Sequence, residues 1–157
     1  MIGAPAIDPW IKALSGAQGC GIWAVHRLKD PQAVEPLIKA LRVVGPPMNA
    51  LRDEGPSASP WVATALGAIG EPAIAPLIEA MGDKNPEVRA CAADALTRID
   101  DPRAFAPLCK ALGDASPIVR LSAAQALGTK GSQAVAPLSR ALGDEDREVR
   151  CTAVMAC

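Results

Sequence analysis

The sequence is poor in aromatic residues, nearly devoid of histidine, and without a long apolar run or an excess of either charge. Three tryptophans, one phenylalanine and no tyrosine stand among 157 residues, so any core is built from aliphatic side chains. Lysine plus arginine number 16 against 17 aspartate plus glutamate. Without a basic excess, the phosphate-neutralising term that drives nucleic-acid binding is missing, and no nucleic acid is expected as a partner. No apolar stretch approaches the ~18–20 residues that span a bilayer, so no membrane partner is expected. The opening MIGAPAIDPW lacks a basic segment followed by an apolar one. No signal peptide is read there, and a cytoplasmic setting is the expectation. The five cysteines are odd in number and form no C-x-x-C pair; in a reducing compartment they read as packing residues or free thiols. Cys20, Cys91 and Cys151 read as a row of thiols at equivalent repeat positions, and even sites one repeat apart are too distant for a disulfide. His26 is the only histidine. Neither zinc-ligand spacing nor a glycine-rich phosphate loop is present. Cys20 lies six residues before His26 on the same expected helix, out of register for a cysteine–histidine nucleophile. No catalytic residue, metal or cofactor is therefore expected.

Alanine and proline are abundant, at 31 and 15 residues. Alanine is the best helix former, and the prolines recur at fixed spacing. Residues 71–100, 101–131 and 132–157 align under one another. Pro76, Pro107 and Pro137 coincide, as do Leu77, Leu108 and Leu138, and Asp83, Asp114 and Asp144. Val88, Val119 and Val149 coincide and are followed at once by Arg89, Arg120 and Arg150. The period is 30 to 31 residues, which marks a repeat architecture. Residues 30–70 form a weaker copy with an insertion near 43–52, and residues 8–29 a shortened first unit, in which Ile11-Lys12-Ala13-Leu14 matches Ile38-Lys39-Ala40-Leu41. The unit 132–157 is truncated.

Each full unit holds two helical stretches. In the first, apolar residues at 105, 108, 111 and 112 share one helix face, and Pro107 predicts a kink or a two-piece helix. Gly82, Gly113 and Gly143 are placed to end these helices in the left-handed conformation. Pro86 and Pro117 suit the first position of the second helix, with Asn85 and Ser116 as N-caps. Two helices of this length cannot bury both faces alone. Stacking on neighbours completes the core, and residues 1–157 read as one all-α domain, an α-solenoid of about five two-helix units.

The motifs DPRAFAPLCKALGD, then P-x-V-R, then SAAQALG closely resemble the HEAT-like repeat of the phycobilisome-lyase type, strongly over 71–157 and more weakly over 8–70. That family spans scaffolds, chromophore-lyase subunits and metal-dependent hydroxylases. The hydroxylases hold iron with several His-Glu pairs, and no His-Glu dipeptide occurs here. Asp83, Asp114 and Asp144 precede Arg89, Arg120 and Arg150 by six residues. Together with the family pattern, this recurrence reads as a structural ladder tying each inter-helix turn to its second helix, rather than a charged stripe for a ligand.

The second helices of a solenoid line its concave surface, where extended partners bind. The resemblance implies that the variable exposed positions there are the two residues after Val-Arg, the residue after Ala-Ala, and one near the helix end. They include Trp23, Pro60, Trp61, Thr64, Cys91, Asp94, Arg98, Leu121, Ser122 and Gln125. Trp23, Trp61 and Leu121 would make a mildly apolar groove, or the tryptophans would fill gaps beside the irregular first units. The expected function is a non-catalytic scaffold holding a protein or peptide. The alternatives are a bilin lyase-like subunit holding a tetrapyrrole, which rests on the resemblance alone, and a self-assembling structural segment. Val149, Ala153, Val154, Ala156 and Cys157 would face no neighbour, so an uncapped C-terminal end could pair in a homodimer.

Overall fold

Helices start and stop where the repeat punctuation places them. The computed structural model describes residues 34–44 and 60–156. Helix α1 spans Val34–Val44 and α2 Pro60–Ile69. Then come α3 (Ile74–Ala80), α4 (Pro86–Arg98), α5 (Phe105–Ala111), α6 (Pro117–Gly128), α7 (Val135–Ala141) and α8 (Arg147–Ala156). These make four helix pairs, with no strand among the described residues. No single described helix is long and apolar enough to cross a membrane. The first unit at 8–29, with Cys20, Trp23 and His26, lies outside the described residues, as do positions 45–52 of the insertion. Helix α1 continues through positions 43 and 44.

The two-piece first helix is present in three units. A 3-10 turn at Glu71–Ala73, Pro102–Ala104 or Gly131–Ala134 leads directly into α3, α5 or α7. The join falls two residues ahead of Pro76, Pro107 and Pro137 rather than at them. Each proline is the third residue of its α-helix. An N–H in the first turn has no intrahelical acceptor, so its absence there costs nothing.

The second helices begin as the sequence indicates. Pro86 and Pro117 open α4 and α6, and the Asn85 side chain accepts the Glu87 N–H at 3.0 Å. Ser116 occupies the cap position of α6 but makes no side-chain cap bond. Asp146 caps α8 by accepting from Glu148 N at 2.8 Å and Val149 N at 3.2 Å. The expectation for Gly82, Gly113 and Gly143 is corrected. The described glycines with positive φ are Gly70 (82°) and Gly131 (66°), both between repeats. The first helices close instead by a tight final turn, with Gly82 N donating to Glu79 O at 2.9 Å and Asp83 N to Ala80 O at 3.1 Å.

The second helices stack in series, α2 on α4, α4 on α6 and α6 on α8, and each first helix packs against its own second helix. Leu66, Leu77, Leu96, Leu108, Leu127 and Leu138 are fully buried. Alanines at 92, 93, 95, 123, 124 and 126 let neighbouring second helices approach closely and are themselves buried. Helices α2 and α4 approach closely at Gly67, where an added Cβ would lie 2.6 Å from Arg98 Cβ. Since Cβ cannot swing aside, Gly67→Ala is expected to lower stability by about 1–3 kcal/mol through overpacking. A thermal melt unchanged by this substitution would contradict the spacing.

Candidate functional site

The Asp–Arg ladder exists, with a connectivity that the sequence left unread. Arg89 Nη1 donates to the backbone of its own turn, at 2.7 Å to Asp83 O and 3.1 Å to Lys84 O. Its Nε and Nη2 fork onto the carboxylate of the following repeat, Asp114, at 2.8 and 2.7 Å. Arg120 repeats this, holding Asp114 O at 3.0 Å and Ala115 O at 3.3 Å while forking onto Asp144 at 2.8 and 2.9 Å. Each rung therefore joins two repeats as well as holding the turn of its own. The same aspartates hold their own turns: Asn85 N, Ser116 N and Asp146 N donate to Asp83, Asp114 and Asp144 at 3.0, 2.8 and 2.8 Å. At the α1 side, Arg42 supplies the fork's place with one bond from Nε to Asp83 at 2.6 Å. Arg89 and Arg120 thus spend their guanidinium groups on bonds within the chain.

These contacts set the acid response. The Asn85 N–H is the main cause that holds Asp83 below the usual carboxylate range; partial burial opposes it and Arg42 assists it. Burial is the largest influence on Asp114 and Asp144 and would raise both, yet the arginine forks and backbone N–H donors together bring them below the ordinary value. A carboxylate whose pKa is depressed by folding stabilises the folded chain fully above its unfolded pKa, near ~4, and loses that contribution as pH falls through the depressed value. Melting temperature is therefore expected to hold between pH 7 and 5 and to drop steeply below about pH 4. A flat profile down to about pH 2.5 would contradict the ladder's contribution.

The second-helix face is narrower than the sequence implied. Cys91, Leu121 and Ser122 are 1%, 5% and 4% exposed, so none can meet a partner, and an apolar groove including Leu121 is excluded. Burial pushes the Cys91 thiol up to about 12. Cys151 is exposed and holds the repeat position of Ala90 and Leu121, whereas Cys91 corresponds to Ser122 and Thr152. The thiol row is therefore corrected. Trp23 lies outside the described residues. Pro60 and Trp61 fall at the start of α2, with side chains outside the described set.

Arg98 and Gln125 are exposed, and Thr64 and Asp94 are half-buried. Thr64, Asp94, Gln125 and Met155 occupy one repeat position on successive stacked helices; Arg98 lies one turn further along α4, and its equivalent Thr129 caps the end of α6. Asp94 is raised by burial, against which the Arg98 charge works. Glu87, Ile118 and Glu148 extend the strip and were missed. They stand seven residues before Asp94, Gln125 and Met155, two helical turns earlier on the same face, so the spacing was available in the sequence. All three retain exposure. Among the described residues no group of three or more His, Cys, Asp or Glu could hold a metal ion.

The α7–α8 unit is also more enclosed than expected. Val149 and Ala153 are fully buried, and Ala156 is packed so closely on α6 that a Cβ on Gly128 would lie 2.8 Å from its own. Val154 is 65% exposed; Cys157 lies outside the described residues.

Comparison with known proteins agrees with this architecture. The HEAT repeats family matches residues 44–128 and 105–157, and the PBS lyase HEAT-like repeat matches residues 21–42. No curated protein matches the chain. Among solved structures, a designed armadillo repeat protein in complex with the peptide (KR)4 is similar at 21% identity and a TM-score of 0.50, over 96% of this chain and 80% of that one. An engineered protein is similar at 19% identity and a TM-score of 0.49, over 98% of this chain and 78% of that one.

Proposed function

Because the chain belongs to the HEAT repeat family, we propose that it is a non-catalytic scaffold that holds an extended peptide or protein segment along the strip formed by α2, α4, α6 and α8. The observation that carries this reading is the emergence of one equivalent position per repeat, Thr64, Asp94, Gln125 and Met155, on helices stacked side by side. Helix axes spaced ~8–10 Å apart pass about three residues of a chain that rises ~3.3 Å per residue. A Gln125 amide can donate to and accept from a peptide group together. The charges on the described strip, Glu87, Asp94 and Glu148 against Arg98, favour a segment carrying lysine or arginine. The designed armadillo protein of similar fold is in complex with (KR)4, which makes that peptide a suitable probe.

The test is selection of a displayed peptide library on the chain, followed by titration of the leading peptide. Wild type is compared with an Asp94→Lys, Gln125→Lys double variant shown to be folded by circular dichroism. Selected peptides are expected to be enriched in lysine and arginine, and the double variant to bind at least about tenfold more weakly, a change of ~1.4 kcal/mol. Failure to select any peptide, or unchanged affinity in the folded variant, would overturn the reading.

A further inference from the structure

A cleft lies between two first helices, α5 and α7, apart from the strip on the second helices. It holds about 500 Å³, and Cys109, Lys110, Leu112, Pro137, Arg140 and Ala141 are among the residues lining it. That volume falls in the ~300–1,000 Å³ range of sites for small molecules. Two departures from the repeat give the cleft its character. At the preceding junction, between α3 and α5, the positions of Cys109 and Lys110 hold Ile78 and Glu79. Ile78 packs against the core, and the smaller cysteine in its place leaves room beside α7. The charges also change. Glu79 and Lys110 hold the two flanking positions of the α3–α5 junction, an acid and a base, whereas Lys110 and Arg140 hold them at α5–α7. Neither of these side chains forms a hydrogen bond or ion pair among the described residues. Burial raises the Cys109 thiol and the Arg140 charge works against it, so the guanidinium of α7 acts across the cleft on α5. Asp144 also lines the cleft, but its carboxylate is taken by the Arg120 fork and the Asp146 N–H. Two cations beside an apolar floor are left without a counter-charge.

We propose that the α5–α7 cleft binds a phosphate monoester of a small apolar molecule, with the phosphate between Lys110 and Arg140 and the apolar body over Cys109, Leu112 and Pro137. The charge selects the head group. A phosphate monoester carries about −1.5 to −2 at pH 7, which two cations match better than they match a single carboxylate charge. The arginine fork takes two phosphate oxygens, and the lysine adds a point charge on a flexible stem. The floor selects the rest of the ligand. Inorganic phosphate meets the same cations but buries no apolar surface against Leu112 and Pro137.

The test is titration of the full chain with 1-naphthyl phosphate, followed by amide NMR. Cys109, Leu112 and Arg140 are expected to shift, with a Kd below about 1 mM, the scale for a ligand of this size. Inorganic phosphate, which lacks the rings, and 1-naphthoate, which lacks the second charge, should each bind at least about fivefold more weakly. A Lys110→Gln, Arg140→Gln double variant should bind at least about tenfold more weakly. Lys84→Gln, at an exposed turn position, should leave the affinity unchanged. Cys109→Ile restores the side chain of the preceding junction and should also weaken binding at least about tenfold while circular dichroism stays the same. No saturation up to about 5 mM, equal affinity for 1-naphthoate, or a folded double variant that binds as the wild type does would overturn the proposal. So would an equal loss in Lys84→Gln, unchanged binding in Cys109→Ile, or shifts centred on α4 and α6.

Discussion

Replacing Arg120 with methionine is expected to destabilise the chain by about 3 kcal/mol, the scale seen when one partner of a buried ion pair is removed. The side chains of Arg120 and Asp144 are 7% and 10% exposed. Methionine retains the stem's packing but strands the Asp144 carboxylate, leaving it the Asp146 N–H, and frees the carbonyls of Asp114 and Ala115 that Nη1 satisfies. For a domain of this size the melting temperature should fall by roughly 6–12 °C. The loss is also directional. Arg120 joins repeat 101–131 to repeat 132–157, so hydrogen exchange should show α7 and α8 losing protection ahead of α4. Arg42→Met is the contrast. Its side chain is 46% exposed, and an exposed pair contributes about 0–1 kcal/mol. Comparable losses for the two variants would show that the ladder does not derive its strength from burial.

Leu127→Ala is expected to cost about 2–5 kcal/mol, the range for a buried leucine whose cavity cannot collapse. Leu127 is fully buried and belongs to the continuous core that runs from Val34 to Leu138. It sits on α6 between neighbouring second helices, and the surrounding alanines are too short to fill the void. Leu142→Ala should cost less than about 1 kcal/mol, because that side chain is 42% exposed and leaves little cavity. Urea unfolding of both variants checks this. Equal midpoint shifts would mean that the last unit is packed as tightly as the inner ones.

Much of this fold was legible because the repeats confirm one another. Three coincident prolines, leucines and Val-Arg pairs located α3 to α8, and Asn85-Pro86 identified how α4 begins. The ladder's partners were not legible for a specific reason. Arg89 lies six residues after Asp83 and 25 before Asp114, and both spacings recur with the repeat. Periodicity alone cannot distinguish a contact within a unit from one to the next. The left-handed glycines were misplaced because Gly82, Gly113 and Gly143 follow helices that close with a tight turn, while Gly70 and Gly131 carry the positive φ between units.

The exposed strip along the second helices was partly legible. Asp94, Arg98 and Gln125 were identified from the repeat pattern, but Cys91, Leu121 and Ser122 were assigned to the surface and are buried. At ~100° per residue, Ala90 and Cys91 lie roughly 40° and 60° to either side of Asp94. Helix α4 is flanked by α2 on one side and α6 on the other, so positions that close to the strip are already covered. A single amphipathic helix would expose a broad face, whereas a helix packed on three sides exposes one line of residues.

The most direct test of the scaffold reading is amide NMR of the isotope-labelled chain titrated with (KR)4 at low salt. Shifts are expected to follow the strip, at Glu87, Asp94, Arg98, Gln125 and Thr129, with the first helices unmoved. An unchanged spectrum, or shifts centred on first-helix residues such as Glu79 and Ser139, would contradict a binding face on the second helices.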